Sequence, residues 1–77
     1  MEKETVICKG TIKGKFTGFK NTTTTFEFSD GQIWRQVEHK FLFQFKQNPE
    51  AQIIYANNKT YLEVQNIDER VEVKRIK

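Results

Sequence analysis

The chain has very little cysteine, histidine and proline, with one residue of each among 77. A lone cysteine, Cys8, excludes an internal disulfide and cannot by itself form a structural zinc site. A single histidine, His39, excludes a histidine pair on a metal. The sequence also lacks the spacings of a calcium loop or a phosphate-binding loop. It therefore predicts neither a metal nor another cofactor.

Long hydrophobic runs are absent as well. No stretch approaches the roughly 18 consecutive apolar residues that a membrane-spanning helix needs, so no membrane partner is expected. The first nine residues are charged and lack the apolar segment of a secretory signal. An unpaired thiol is also typical of a reducing compartment. These features predict a cytoplasmic protein.

The residues that catalysis needs are few and scattered. His39 lies between Glu38 and Lys40 in an expected turn, where a solvated side chain is the simplest interpretation. Cys8 shares the parity of Val6 and is interpreted as a small buried hydrophobe. Asp30 is explained by turn formation, because its carboxylate can accept hydrogen bonds from nearby backbone. With no converging acid, base and charge stabiliser, the sequence predicts no catalytic residue and no enzyme.

The residues that are abundant favour β-strands. A threonine run leads into Phe26 and Phe28, which alternate with Glu27 in the period of a half-buried strand. Ser29-Asp30-Gly31 is typical of a turn, and residues 32–36 resume the alternation, so the sequence predicts a hairpin. Trp34 has two interpretations, as a core anchor, which is preferred, or as part of a binding platform.

Further alternating segments follow the hairpin. Phe41, Phe43 and Phe45 predict a strand whose aromatic face is the inner wall of a barrel. Strands are also expected over 51–56, 60–65 and 70–76. Leu62 and Val64 are expected on the inner face of their strand, and Val71 and Val73 share a face that a bulge would let Ile76 join. Residues 1–20 predict one long bent strand or two short ones. The whole chain, 1–77, is expected to form a single small all-β domain, because a chain of this length holds one thin core.

The stretch Phe26-x-Phe28-x-Asp30-Gly31-Gln32-Ile33-Trp34-Arg35-Gln36 resembles a small domain found mainly in uncharacterised bacterial proteins. That domain contains an apolar-x-apolar-x-Asn-Gly-Gln-apolar-Trp-x-Gln motif. The resemblance extends to Gly10–Phe19, with Phe19 where tryptophan is usual, and to the closing segment 71–76. It implies a small SH3-like β-barrel, here of five to seven short, mostly antiparallel strands. It implies no activity, substrate or catalytic residue.

The leading functional hypothesis is a non-catalytic interaction module that binds a protein or peptide. Its candidate surface combines basic and aromatic residues: Lys13, Lys15, Phe16, Phe19, Lys20, Trp34 and Arg35. The net charge of +3 is equalled by that of residues 1–20 alone. The alternative is therefore weak binding of single-stranded nucleic acid through the same region. A binding platform predicts an exposed Trp34 or Phe19, whereas a pure scaffold predicts that both are buried.

Overall fold

A computed structural model describes residues 3–77 and contains eight β-strands in this part of the chain. The strands are β1 (Thr5–Thr11), β2 (Lys15–Phe19), β3 (Thr25–Glu27), β4 (Ile33–Gln36), β5 (Leu42–Gln47), β6 (Glu50–Ala56), β7 (Lys59–Val64) and β8 (Arg70–Arg75). None of the described residues forms a helix that could span a membrane. The all-β prediction is confirmed, although the strand count exceeds the five to seven expected.

The strands form two antiparallel sheets. Six of them pair in the order β1-β6-β7-β8-β4-β3, and β2 pairs with β5 in a separate two-stranded sheet. We call this second sheet the β2–β5 ribbon. Because β2 is not paired with β3, the sheets do not close on themselves, and a complete barrel is therefore not formed. A single bridge between Ile12 and Phe28 connects the segment before β2 to the segment after β3.

The core lies between the ribbon and the six-stranded sheet. Phe16 and Phe19 enter it from β2 and meet Phe26 from β3, with ring centroids 5.9 to 6.1 Å apart. The opposite wall is made of aliphatic side chains from three strands: Ile53, Leu62, Val64, Val71 and Val73. The inward faces predicted for the strands at 60–65 and 70–76 are thus confirmed, but Ile76 is exposed and no bulge returns it to the core.

Local turn chemistry explains two of the connections between strands, the one at Gly14 and the one at Asp30. Gly14 has a φ of +80°, which glycine adopts without steric cost, and it separates β1 from β2. The N-terminal segment therefore forms two strands, which belong to different sheets. The predicted hairpin is confirmed, with Phe26 opposite Trp34. Its turn is held by the Asp30 carboxylate, which accepts a hydrogen bond from the Gln32 backbone amide at 3.1 Å.

Candidate binding face

The aromatic part of the surface predicted from the sequence is wrong. Phe16, Phe19 and Trp34 are 2%, 0% and 5% exposed, so none of them can offer a ring face to a ligand. The Trp34 indole N–H donates to the Gln32 side-chain oxygen at 3.2 Å, which satisfies its one polar group. The core interpretation of Trp34 is therefore the correct one.

The basic part of that surface is exposed but divided between the two sheets. Lys13, Lys15 and Lys20 lie on β2 or beside its ends, and all three are exposed. Arg35 is also exposed but lies on β4 in the six-stranded sheet, with Thr25 and Lys74 as its ladder neighbours. The structure therefore places the lysines together on the ribbon and Arg35 elsewhere.

The most exposed aromatic residues are those predicted to line the interior. Phe41, Phe43 and Phe45 are 74%, 72% and 58% exposed. Phe41 directly precedes β5, and the other two lie within it. Alternate residues of a strand share a face and lie about 6.6 Å apart. The three rings, which we call the phenylalanine stripe, thus follow one another along the outer face of the ribbon.

The ladder between β2 and β5 explains this orientation. In an antiparallel pair, residues directly opposite each other project to the same side of the sheet. Phe19 is opposite Leu42, and Phe16 is opposite Lys46. Since Phe16 and Phe19 are buried, Leu42 and Lys46 turn inward with them, and Leu42 packs against the core. Phe43 and Phe45, which have the opposite parity to Leu42 and Lys46, then face outward, and Phe41 has the same parity just before the strand.

Gly18 makes this pairing possible. Its φ is +108°, and a β-carbon built on it would lie 1.8 Å from the carbonyl oxygen of Leu42. No other residue type fits this close approach of two backbones. The register also shifts between Phe16 and Gly18, which is a β-bulge. The bulge lets Phe16 and Phe19, three positions apart, face the same core.

Gln36 anchors the chain where it enters β5. Its fully buried side chain donates to the carbonyl oxygens of Glu38 and Lys40 at 2.8 and 2.9 Å. Its side-chain oxygen accepts a hydrogen bond from the Lys20 backbone amide at 3.2 Å. One side chain thus joins the end of β4, the exit from β2 and the loop that leads to Phe41.

The other end of the ribbon is closed by a reciprocal pair of hydrogen bonds. The Gly14 amide donates to the Asn48 side-chain oxygen at 2.7 Å, and the Asn48 amide donates to the Gly14 carbonyl oxygen at 2.8 Å. Asn48 has a φ of 46°, which asparagine tolerates better than most residues. With both ends fixed, the stripe is held in an ordered strand.

The ribbon and its flanks are strongly basic. Residues 12–24 and 39–49 contain five of the chain's 13 basic residues and none of its ten acidic residues. The remaining positions contain eight basic and ten acidic residues. Lys13 is 4.0 Å from the Glu27 carboxylate and Lys40 is 3.9 Å from that of Glu69. Lys15, Lys20 and Lys46 form no ion pair with any other residue between positions 3 and 77.

The six-stranded sheet has a different surface chemistry. Arg70 lies 3.1 Å from the Glu4 carboxylate, 3.3 Å from that of Glu63, and 4.6 Å from the centre of the Tyr61 ring. Lys59 lies 3.9 Å from the carboxylate of Glu72. Lys9, Arg35, Lys74 and Arg75 on this sheet form no ion pair with another residue between positions 3 and 77. Unpaired cations therefore occur on both sheets, but those of the ribbon accompany the exposed phenylalanine stripe.

Cys8 and His39, the residues considered for catalysis, lie in different elements, Cys8 on β1 and His39 in the loop before β5. The Cys8 thiol is half-buried and donates to the Gln32 side-chain oxygen at 3.3 Å. His39 is exposed in the loop between β4 and β5. Within residues 3–77 no three histidine, cysteine, aspartate or glutamate side chains converge as metal ligands would.

Little in the sequence indicates that the stripe is exposed. The residues that alternate with it are Leu42, Gln44 and Lys46, which are more polar than phenylalanine, so the pattern alone favours a buried stripe. One feature of the sequence does indicate exposure of the stripe. The stripe lies in a segment that has no acidic residue and has a lysine near each end. That composition is unusual for a strand whose function is only to fill a core.

No protein-family model matches this chain, and comparison with curated proteins and with solved structures also gives no match. The candidate face is therefore defined by its own geometry.

Proposed function

We propose that this domain is a non-catalytic binding module whose ligand occupies the outer face of the β2–β5 ribbon. The observation that carries this proposal is the exposure of Phe41, Phe43 and Phe45 on one face of one strand. Burying a phenylalanine stabilises a fold by about 1.5–3 kcal/mol. A small domain that leaves three of its seven phenylalanines in water forgoes much of this gain. Contiguous exposed apolar surface of this kind marks interaction sites.

The anchoring of the ribbon supports the same proposal. Gln36 fixes the entry to β5, and the Gly14–Asn48 pair fixes its exit. A ligand then meets a surface that is already ordered, and little conformational entropy is lost on binding. A patch that was exposed only because its segment is loose would not be held in this way.

The chemistry of the face supports binding rather than catalysis. Its side chains are phenylalanines with threonine, glutamine and lysine beside them, and residues 39–49 contain no carboxylate. These groups supply stacking, apolar contact and positive charge. They do not provide the paired acid and base that proton transfer needs.

A protein or peptide ligand, the partner first predicted from the sequence, has one structural feature in its favour. Within residues 3–77, β5 is paired along one edge only, to β2. An extended peptide could add to the other edge by strand addition, with main-chain hydrogen bonds and contacts to the stripe.

Three further predictions rest on the sequence alone. A relationship to SH3-like domains, without a closed barrel, and the bacterial origin rest on the motif around Trp34. The two sheets agree with such a fold only in being small, antiparallel and all-β. The cytoplasmic location rests on composition. We propose all three as properties of the protein.

Photo-crosslinking tests the binding face without assuming a ligand. A photoreactive phenylalanine analogue at position 43 should give a covalent adduct when the protein is irradiated in the cells that produce it. Digestion of the adduct with protease or nuclease then identifies the class of ligand. The matched control carries the analogue at position 74, which is exposed on β8 in the other sheet. Equal adduct formation at the two positions, or none at position 43, contradicts the proposed face.

A further inference from the structure

The charge around the phenylalanine stripe restricts the kind of ligand it suits. Lys15 and Lys20 lie at the two ends of β2, are exposed and have no ion-pair partner within residues 3–77. Lys15 is opposite Gln47, which has the parity of Phe43 and Phe45, so it lies on the face of the stripe. Unbalanced positive charge attracts polyanions, and the attraction depends on salt. The complementary ligand therefore carries repeated negative charge together with groups that contact aromatic rings.

We propose that the ligand of the ribbon is single-stranded nucleic acid, bound with little sequence preference. This inference rests on the proposed function, because it specifies the partner of the same face. Unpaired bases stack on the rings of the stripe, and phosphates lie near the lysines of β2 and its flanks. Base stacking on aromatic side chains is tolerant of sequence, since every base has a flat face.

The spacing of the stripe favours a single strand over a duplex. The backbone positions of alternate strand residues such as Phe43 and Phe45 lie about 6.6 Å apart, whereas successive bases in a duplex rise by about 3.4 Å. Bases that meet successive rings must therefore be unstacked from each other, which a flexible single strand allows. A duplex keeps its bases stacked and paired, and its outer surface offers phosphates only.

Two other occupants fit the face less well. A second copy of this chain, related by twofold symmetry, would bring the same lysine-rich surface against itself, and like charges repel. A membrane surface would have to cover the unpaired edge of β5, where backbone N–H and C=O groups need water or a partner. Neither the repulsion of like charges nor the burial of the unpaired edge of β5 applies to single-stranded nucleic acid.

Fluorescence anisotropy with a labelled ten-nucleotide oligodeoxythymidine tests the inference. The oligonucleotide should bind the intact protein at 50 mM salt and bind much more weakly at 200 mM salt. A duplex of the same length should bind more weakly than the single strand. Phe43→Ser should lower the affinity roughly 5- to 100-fold, which is the loss expected for one stacked base. Tyr55→Ser, an exposed aromatic on β6, is the matched control and should leave the affinity unchanged.

A pair of lysine variants tests where the phosphates lie. Lys15→Gln should reduce the salt dependence of log K by about 0.7, the value for one lost phosphate contact with a single strand. Lys74→Gln on the other sheet should not reduce it. The fluorescence of buried Trp34 reports in each variant that the fold is intact, because Trp34 lies in the core rather than on the face.

The outcomes separate this inference from the proposed function. Absence of oligonucleotide binding, equal binding of the duplex, or an unchanged affinity for Phe43→Ser would overturn the nucleic-acid inference. Preferential binding to vesicles with 30% anionic lipid would overturn it too. If the photoreactive group at position 43 still gives a specific protein adduct, the binding face stands and its ligand is a protein. If neither experiment gives binding at the stripe, both proposals fail.

Discussion

The two strands of the ribbon both contain phenylalanines but place them on opposite faces of the sheet. On β2, Phe16 and Phe19 are buried against Phe26, whereas on β5, Phe43 and Phe45 face the solvent. The two strands are hydrogen-bonded neighbours, so they share one inner and one outer face. The comparison shows that alternation identifies the residues that share a face, and that the packing of the neighbouring strand decides which face is inside.

Truncating one phenylalanine from each strand is the sharpest test of this comparison. Phe19→Ala should lower the free energy of unfolding by about 3–5 kcal/mol, because it leaves a cavity in the core. Phe43→Ala should change it by less than about 0.5 kcal/mol, since its ring is already in water. Urea titration followed by Trp34 fluorescence measures both values.

A loss of this size can unfold a domain of 77 residues completely. Phe19→Leu, which leaves a smaller cavity, then provides the measurable comparison. Similar destabilisation by substitutions at positions 19 and 43 would show that β5 is oriented with its phenylalanines inward.

Gly18→Ala should produce the next largest effect, a loss of about 3 kcal/mol or more. The added methyl group would collide with the Leu42 carbonyl oxygen, and the positive φ adds strain. Gly14→Ala is the matched control, because Gly14 also has a positive φ but has no atom within 4 Å of the added methyl. It should cost only about 1–2 kcal/mol. Equal effects at the two glycines would contradict the close approach of β2 and β5.

Gln36→Leu removes the side chain that fixes the entry to β5. The Glu38 and Lys40 carbonyl oxygens and the Lys20 amide lose their partner. We expect a loss of about 1–3 kcal/mol. We also expect faster amide hydrogen exchange at positions 41–43 than in the native protein.

The location of the faster amide hydrogen exchange distinguishes a role of Gln36 in positioning β5 from a contribution to stability alone. If the stripe is held by Gln36, exchange should increase near Phe41 more than in β7, which Gln36 does not contact. An equal increase in exchange throughout the domain would show that Gln36 contributes only to the stability of the whole fold.

Arg70→Gln should have the smallest effect, a loss below about 1 kcal/mol. Its ion pairs with Glu4 and Glu63 lie at a partly exposed surface, where water and salt screen them. The variant should bind the oligonucleotide as the native protein does, because Arg70 lies on the six-stranded sheet and is already paired with two carboxylates. A large loss of oligonucleotide affinity would place the binding surface on that sheet instead of the ribbon.

The sequence predicted most of the local structure correctly. Phe26, Trp34 and the Asp30 turn were placed in one hairpin because their signals lie within a few residues of each other. Leu62, Val64, Val71 and Val73 were placed on inner faces, since a buried strand with polar neighbours alternates clearly. The conclusion that Trp34 anchors the core also followed, from the need of a small domain for large buried side chains.

The candidate site was predicted only in part. Lys13, Lys15 and Lys20 are exposed and lie on or beside the ribbon, as the hypothesis required. Its aromatic partners were misplaced: Phe16 and Phe19 were expected at the surface and the stripe inside. The bulge at Gly18 is one cause, because it changes the parity of β2 between these two phenylalanines. An irregularity of this kind leaves no clear mark in the local pattern.

By itself, the sequence determined that the chain forms short alternating strands, where most turns fall, and that one region is basic and free of acids. These properties depend on neighbours in the chain, on backbone preferences and on composition. The tertiary structure alone decided that the strands separate into two sheets and that β5 turns its phenylalanines outward. Such a choice depends on contacts between residues far apart, including Phe19 with Leu42 and the backbone approach at Gly18, and local periodicity is the same for either orientation of a strand.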